Sequence, residues 1–485
     1  MARIFLIASL LPGVVSLTGR GSTLSLVTQP LLLAALPLAV LSLNNGVGFL
    51  PEMGFNTWYM LHENLINYTW REGYCASCDA VAVAEWFTAN GLRELGYNRG
   101  NFDDCIVVGR DAAGDLIPDP AAFPSGVRAV ADTLSANGFS MGFYTVRGET
   151  TCASGPPPRI ERPGSAGHEA QDARWWASQG ISYLKSDTCS APEVPYPVMR
   201  DALNATGVDI FFSMCEPGNG PQTAPVGRSW GNAWRTDIDD GGLWRPILQN
   251  VNTNAALYNY SGCEEQRGHD GFGCGWNDMG LLMVGGGMTY DQDVSHIALW
   301  AIMASKLLVS VDPRKWAPWS LSLVGNAEII AIDQDSLKLQ GQRVIPPVNV
   351  SRALADRARI NEWKARNLAG GSWRASGRSL ELLRGGADAG AVPGTEDDDV
   401  LRAGGRAEVW QRPLAGGDWA LALFNNGMAE ATLTCDGACW ARMWPAGGAV
   451  AVRDVVARTD NGTATGAFSA TVRTNGTVLV RLSKA

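Results

Sequence analysis

The chain contains 485 residues, of which 46% are hydrophobic and 18% are charged, and its formal net charge at pH 7 is −9. This composition is typical of a globular protein, and the sequence has no long basic block that would favour nucleic-acid binding. Its four histidines, His62, His168, His269 and His296, lie far apart. A histidine-rich metal centre is therefore not predicted, and we expect no metal ion.

Residues 1–43 contain two apolar runs and are predicted to direct export. The core Leu31 to Leu41 has signal-peptide length, and Pro30 and Pro37 disfavour a membrane span, so the segment is either a signal peptide or a signal anchor formed by residues 24–43. Six Asn-x-Ser/Thr sequons agree with passage through a secretory compartment: Asn67, Asn204, Asn259, Asn349, Asn461 and Asn475. We predict an extracellular, vacuolar or lysosomal protein.

Ten cysteines in a predicted secretory protein favour structural disulfides. Three pairs are predicted, two closing short loops and one joining two strand-end loops: Cys263 with Cys274, Cys435 with Cys439, and Cys152 with Cys189. Cys105 is expected to bond to Cys75 or Cys78, which leaves Cys215 free. Cys75-x-x-Cys78 is alternatively a redox motif or half of a zinc site, but no second motif completes four ligands.

Residues 44–342 alternate helix-like patterns with short apolar strands. Gly96, Gly138 and Gly180 are evenly spaced, since 138 − 96 and 180 − 138 both equal 42, and each follows a predicted helix that a glycine would end. The alternation predicts a parallel sheet with right-handed crossovers, closed into a (β/α)8 barrel. Eight strands are predicted: Met53–Trp58, Tyr97–Asp103, Phe139–Val146, Ile181–Asp187, Asp209–Cys215, Trp230–Arg235, Phe272–Asp278 and Lys306–Asp312.

Polar side chains follow the ends of these strands, which is where barrels of this kind carry their active sites. Lys185 and Asp187 are two residues apart on one strand, so they share a face, and the ammonium group would lower the pKa of the carboxyl. A lowered pKa suits a carboxylate nucleophile, although an ordinary surface ion pair gives the same pattern. The other strand ends carry Trp58, Asp103, Asp104, Tyr144, Arg147, Glu216, Arg235, the cluster Asp237 to Asp240, and Asp278.

Beyond residue 342 the pattern changes to strands separated by turn residues. The segments Ala407–Gln411, Trp419–Phe424, Ala431–Thr434 and Thr477–Leu482 predict an antiparallel β-sandwich within residues 343–485. An irregular insertion precedes them, and its acidic run Glu396–Asp399 is predicted to be a solvated loop.

Two carboxylates facing each other across a sugar-sized pocket are the apparatus of glycoside hydrolysis. The segment Asp237 to Gly241 slightly resembles a calcium loop but lacks the closing glutamate. No serine-hydrolase elbow, phosphate loop or dinucleotide fingerprint is found.

Eight motifs, in order along residues 46–345, resemble the α-galactosidase family of glycoside hydrolases, family 27, also called melibiases. They are Met53-Gly-Phe-Asn-Thr-Trp58, Asn101-Phe-Asp-Asp-Cys105, Pro163-Gly-Ser-Ala-Gly-His-Glu169, Tyr183-Leu-Lys-Ser-Asp-Thr-Cys189, Cys215-Glu216, Gly275-Trp-Asn-Asp278, Ala298-Leu-Trp-Ala-Ile-Met-Ala304 and Ala331-Ile-Asp-Gln-Asp335.

The resemblance implies a (β/α)8 barrel with a C-terminal β-sandwich that removes terminal α-linked D-galactose from oligosaccharides or glycoconjugates with retention and without a cofactor. It implies that Asp187 is the nucleophile and that Glu216 reads the position-2 side of the sugar, as in galactosidases rather than N-acetylgalactosaminidases. The remaining residues implied to bind substrate are Trp58, Asp103, Asp104, Tyr144, Lys185, Arg235 and Asp278.

The acid/base has two candidates. The family places it four residues after an arginine and five before a tryptophan, which selects Asp239 between Arg235 and Trp244, whereas an alignment on Asp-Ile-Asp-Asp selects Asp237. The family also usually reads Trp-Asn-Asp-Pro-Asp-Met, so Gly280 replaces an expected pocket aspartate. The alternatives are therefore an α-N-acetylgalactosaminidase or α-glucan-acting enzyme, or a carbohydrate-binding protein without turnover.

Overall fold

The computed structural model describes residues 45–61, 75–154, 160–217, 219–263, 273–346 and 406–485. The predicted export segment, the acidic run Glu396–Asp399 and the sequons at Asn67 and Asn349 lie outside these ranges. All described residues belong to one compact unit, Leu41–Ala485. Within them, no helix has the length and apolarity needed to cross a membrane.

The first part of the chain alternates strands and helices, as predicted. Its elements are β1 (Met53–Asn56), α1 (Thr57–Leu61), α2 (Ala76–Ala89), β2 (Arg99–Asn101), β3 (Val107–Arg110), β4 (Leu116–Pro118), α3 (Val127–Ala136), β5 (Ser140–Val146), α4 (Glu169–Ser178), β6 (Ile181–Asp187), α5 (Tyr196–Ala205), β7 (Phe211–Met214), α6 (Gly220–Trp230), β8 (Ala233–Arg235), α7 (Trp244–Ala256), β9 (Gly262–Cys263), β10 (Cys274–Asp278), α8 (Tyr290–Ile302), β11 (Leu307–Val309), α9 (Ser320–Val324) and α10 (Ala327–Asp333).

Eight parallel strands form one sheet in the order β11-β1-β2-β5-β6-β7-β8-β10, and β9 pairs antiparallel with β10 at the edge. A parallel bridge between Leu282 and Val309 joins the segment after β10 to β11, so the sheet curls back on itself. The predicted eight-stranded barrel is confirmed, although most of the strands are shorter than predicted. Because the strands are parallel, their carboxyl ends meet at one edge.

The helices pack their apolar sides against this sheet. In α3 the predicted stripe of Val127, Val130, Ala131 and Leu134 is buried. Gly138 follows α3 and adopts a φ of +79°, a conformation that L side chains rarely adopt and that turns the chain into β5. Gly180 plays the same part between α4 and β6, also with a φ of +79°.

The second part of the chain is antiparallel. Its elements are β12 (Gln342–Ile345), β13 (Ala407–Pro413), β14 (Trp419–Asn425), β15 (Ala431–Cys435), α11 (Gly437–Met443), β16 (Ala449–Asp454), β17 (Thr459–Thr465), β18 (Phe468–Val472) and β19 (Thr477–Lys484). Six strands form a sheet in the order β12-β13-β14-β19-β16-β17, and β15 pairs with β18. The four predicted strands are observed, while β12, β16, β17 and β18 were not predicted.

The C-terminal sheet packs against the barrel through specific hydrogen bonds. Trp244 Nε1 donates to Asn475 Oδ1 at 3.0 Å, and the hydroxyls of Ser295 and Thr477 lie 2.7 Å apart. The buried guanidinium of Arg412 donates to the carbonyl of Ala301 at 2.5 Å. These contacts join the sheet to α7 and α8.

The disulfides follow the predictions except around Cys105. Cys152 is bonded to Cys189, Cys263 to Cys274, and Cys435 to Cys439. Cys75 is bonded to Cys78, so the expected bond from Cys105 to one of them is wrong. The physical reason is that three-residue spacing at the start of α2 places the two Cα atoms 5.3 Å apart. This bond also removes the zinc half-site, and Cys215 is a buried free thiol.

Candidate active site

Asp187 is the last residue of β6 and is 8% exposed. Its Oδ1 accepts from the Thr188 backbone N–H at 2.9 Å, and its Oδ2 accepts from the Tyr144 hydroxyl at 3.3 Å. Lys185 Nζ lies 3.6 Å from the same Oδ2. Burial raises the pKa of Asp187, Lys185 lowers it, and the charge of Asp239 raises it, with a net rise. The predicted lowering by Lys185 is present, but burial outweighs it.

Lys185 is bound more closely by Asp103 than by Asp187. Its Nζ lies 2.9 and 3.2 Å from the two carboxylate oxygens of Asp103, and Asn56 Nδ2 donates to Asp103 at 2.9 Å. Burial opposes ionisation of Asp103, but Lys185 and Asn56 outweigh it, so its pKa is lowered. The pKa of Lys185 is raised well above its usual value by Asp103 and then Asp187, against the effect of burial. The Lys185 ammonium group therefore pairs with two carboxylates, those of Asp103 and Asp187.

Asp104 faces the loop that carries Cys152. It accepts from the Ala153 backbone N–H at 2.8 Å and from the Cys105 N–H at 2.5 Å, and burial raises its pKa to about 6. The sulfur of Cys152 accepts from the Tyr144 hydroxyl at 3.1 Å. Cys152, Asp187 and Cys189 place possible metal-ligand atoms within 4.8 Å of one another, but both sulfurs are used by the disulfide.

A second charged group lies at the ends of β8 and β10. Arg235 Nη1 donates to Asp239 Oδ1 at 2.5 Å, and its Nε lies 3.4 Å from Asp278 Oδ2. Asp278 also accepts from Lys306 Nζ at 2.6 Å and from the Gly280 N–H at 2.8 Å. Burial opposes ionisation of Asp278, but Arg235 and Lys306 hold its pKa at about 2. Asp278, predicted to bind substrate, is a buried counter-ion whose two oxygens already have partners.

The two candidates for the acid/base lie in different environments. Asp237 is fully buried and accepts from the Ile238 N–H at 2.7 Å, from Gln249 Nε2 at 3.1 Å and from the Thr253 hydroxyl. The side chain of Asp239 is 53% exposed, and its charge acts on Asp187. Asp237 is therefore turned towards α7, whereas Asp239 faces the first group of charges.

The remaining predicted residues lie around these two groups. Glu216 follows β7 and accepts from Arg147 Nη2 at 3.0 Å and from Asn219 Nδ2 at 2.6 Å. Trp58 follows β1, and its backbone N–H donates to Asn56 Oδ1 at 2.8 Å. The strand ends thus carry carboxylates, cations and an aromatic ring on one edge of the barrel, as glycoside binding requires.

Comparison with known proteins agrees with this architecture. The family model described as "Alpha galactosidase A" matches residues 50–335, and the model described as "Alpha galactosidase C-terminal beta sandwich domain" matches residues 404–482. The chain belongs to the α-galactosidase family of glycoside hydrolases.

Relatives from this family are found in plants, fungi and bacteria. The α-galactosidase of Coffea arabica is 33% identical over 89% of this chain and 93% of its own length. Alpha-galactosidase 3 of Arabidopsis thaliana is 37% identical over 63% of this chain, and the match spans 64% of that relative. A solved α-galactosidase from Saccharomyces cerevisiae is 23% identical with a TM-score of 0.68, covers 92% of this chain and 100% of the other, and shows the fold alone.

Four residues of this α-galactosidase-family site were not predicted as site residues. Asn56 is the last residue of β1 and Arg147 follows β5, so the strand-end criterion already contained the signal for them. Lys306 precedes β11 and so lies at the amino end of a strand. The criterion considered only residues at the carboxyl ends. Asp240 was predicted only as a member of the acidic cluster. Its contacts depend on the fold of the loop after β8.

Proposed function

We propose that the protein is a retaining exo-α-galactosidase that releases terminal α-linked D-galactose from oligosaccharides or glycoconjugates through a covalent glycosyl-enzyme. The observation that carries the proposal is the pair Asp187 and Asp239. The first is a buried carboxylate fixed at a strand end, and the second is a half-exposed carboxyl whose charge acts on the first. Family membership supports the same conclusion.

In the first step, the Asp187 carboxylate attacks the anomeric carbon while Asp239 protonates the leaving oxygen. Asp187 must be ionised to attack. Burial works against this by raising its pKa, and Lys185 favours the ionised form. Tyr144 and the Thr188 N–H fix the two oxygens of Asp187, so the carboxylate is oriented before substrate arrives.

In the second step, Asp239, now deprotonated, takes a proton from a water molecule that attacks the glycosyl-enzyme. The guanidinium of Arg235 bonds to Asp239 and stabilises its anionic form at this stage. The free enzyme is then restored with both carboxyl groups in their starting states. Side chains and water suffice for both steps.

Specificity for galactose rests in the proposal on the carboxylates around the sugar. Glu216 is held by Arg147 and Asn219 on the side assigned to position 2, and a carboxylate there leaves no room for an acetamido group. A carboxylate acceptor that faces a bulkier substituent would lose its hydroxyl partner, which is a means of rejection. This argues for galactose over N-acetylgalactosamine.

Hydrolysis of 4-nitrophenyl α-D-galactoside by wild type and Asp187→Ala tests the proposal. We expect turnover by wild type, loss in the variant, and α-galactose as the first anomer seen by NMR. Faster hydrolysis of the N-acetyl-α-galactosaminide or an α-glucoside would replace the assigned specificity. Galactose binding by titration calorimetry without turnover by either protein would instead show a carbohydrate-binding protein.

We also propose that the protein passes through a secretory compartment. Four disulfides within the described residues support this, because disulfides persist in oxidising compartments. The test is immunoblotting of medium and organelle fractions from expressing cells, with and without residues 1–43. Retention of both forms in the cytosol would contradict the proposal.

A further inference from the structure

Gly280 follows β10 in a conformation that excludes a side chain. Its φ is +121°, and a Cβ atom there would lie 2.3 Å from Asp240 Oδ2 and 3.5 Å from Asn250 Nδ2. The first distance is a collision rather than a contact. Asp240 therefore occupies the space that a side chain at position 280 would need, and this is the position at which the family pattern has an aspartate.

Asp240 is a buried carboxyl group whose hydrogen bonds are incomplete. It is 1% exposed, and its Oδ1 accepts from the Gly242 backbone N–H at 3.2 Å. Its Oδ2 is buried and has no hydrogen-bond partner among the described residues. A buried polar atom without a partner lowers stability, because the loss of its hydration is not compensated. Such a group calls for a role beyond packing.

The surrounding loop is built to hold Asp240 in this place. Asn250 of α7 donates to the carbonyl of Ile238 at 3.0 Å and to that of Met279 at 2.6 Å, so it links the loop after β8 to the loop after β10. Gly241 and Gly242 have φ values of +56° and +70° and turn the chain immediately after Asp240. The carboxyl group is thereby fixed between two loops.

Three charged side chains act on Asp240. Arg235 of β8, Asp278 of β10 and the neighbouring Asp239 act on it, while α7 contributes the uncharged amide of Asn250. Burial raises the pKa of Asp240 to about 7, the Gly242 N–H and Arg235 lower it, and Asp239 and Asp278 raise it. The group is thus neutral in acid and becomes an anion near neutral pH.

We propose that Asp240 fills the place of a side chain at position 280 and that Gly280 is its required partner, so that the loop after β8 supplies the carboxyl group that the family pattern places after β10. The inference rests on the proposed function. Its consequence is that Gly280 does not enlarge the sugar site, because Asp240 fills the space.

The test is a double-mutant cycle in melting temperature and kcat/KM. Gly280→Ala should lower both, with at least about a tenfold loss of kcat/KM, and Asp240→Ala added to it should restore part of the melting temperature by removing the collision. No restoration would show that backbone strain alone excludes a side chain, and the pairing would be wrong. The melting-temperature cycle needs no substrate. If wild type does not hydrolyse α-galactosides, the proposed function fails separately.

Discussion

The two carboxylates proposed to act on the sugar are carried by differently built regions. Asp187 ends β6, a seven-residue strand between two parallel neighbours, and both its oxygens have partners. Asp239 lies on the irregular loop between β8 and α7, and its side chain is half exposed. Two hydrogen bonds fix the Asp187 carboxylate, whereas among the described residues the guanidinium of Arg235 alone holds that of Asp239.

The difference fits the two roles. A nucleophile attacks one atom from one direction and benefits from a fixed position. An acid/base must release a proton to a leaving group and later take one from water, so it needs access and a charge that can change. A rigid strand end suits the nucleophile, and a solvent-accessible loop suits the acid/base.

The largest effect is expected at the nucleophile. Asp187→Ala should lower kcat by about 10⁴-fold or more, since no covalent intermediate can form. Sodium azide should restore turnover from the vacated side and yield the β-galactosyl azide, identified by NMR. Rescue that yields only the α-azide would assign the nucleophile elsewhere.

A smaller loss is expected at the acid/base. Asp239→Ala should lower kcat by about 10²- to 10⁴-fold for substrates with poor leaving groups, and less for 2,4-dinitrophenyl galactoside, which needs little protonation. Azide should then give the α-galactosyl azide, because it attacks the glycosyl-enzyme. Asp237→Ala is the comparison variant. Azide rescue of Asp237→Ala and not of Asp239→Ala would reverse the assignment.

Loss of the shared ammonium should shift a pH profile. Lys185 lowers the pKa values of both Asp187 and Asp103, so Lys185→Met should raise them. Because Asp187 must be ionised to attack, the acidic limb of kcat/KM should move to higher pH by about 1–3 units. The alkaline limb should move less. An unchanged acidic limb would show that Lys185 does not control ionisation of the nucleophile.

The smallest effect is expected at Asp278, the buried counter-ion of Arg235 and Lys306. The pKa of Asp278 is about 2 in the folded protein, below its unfolded value, so its stabilisation is present above about pH 4 and is lost as pH falls towards 2. Asp278→Asn should lower the free energy of unfolding by about 2 kcal/mol at pH 7 and by much less at pH 2.5. Urea unfolding at both pH values measures this. Equal losses would exclude charge pairing as the cause.

The strands and the nucleophile candidate could be read from sequence because both depend on local patterns. The apolar residues Ile181, Tyr183 and Leu184 after Gly180 placed Asp187 at a strand end, and parallel strands bring such ends together. One of the missed C-terminal strands lacks an apolar pattern. β17 reads Thr-Asp-Asn-Gly-Thr-Ala-Thr and is almost wholly exposed, so apolar alternation could not reveal it.

Other features depend on burial, which the sequence does not display. The net rise in the pKa of Asp187 comes from desolvation outweighing Lys185. Separating Asp237 from Asp239 required the hydrogen bonds from α7. The domain boundary at residue 342 stays a prediction, although β12 begins there and pairs with β13.

Asn475 belongs both to a sequon and to the packing of the C-terminal sheet on the barrel. The chain contains two identical Asn-Gly-Thr tripeptides, at Asn461 and Asn475. Asn461 and Thr463 are exposed on β17, whereas Asn475 accepts from Trp244, and the buried Thr477 hydroxyl bonds to Ser295. The folded protein offers the first tripeptide to a glycosyltransferase and withholds the second, so glycopeptide mapping after secretory expression should find sugar at Asn461 alone of the two.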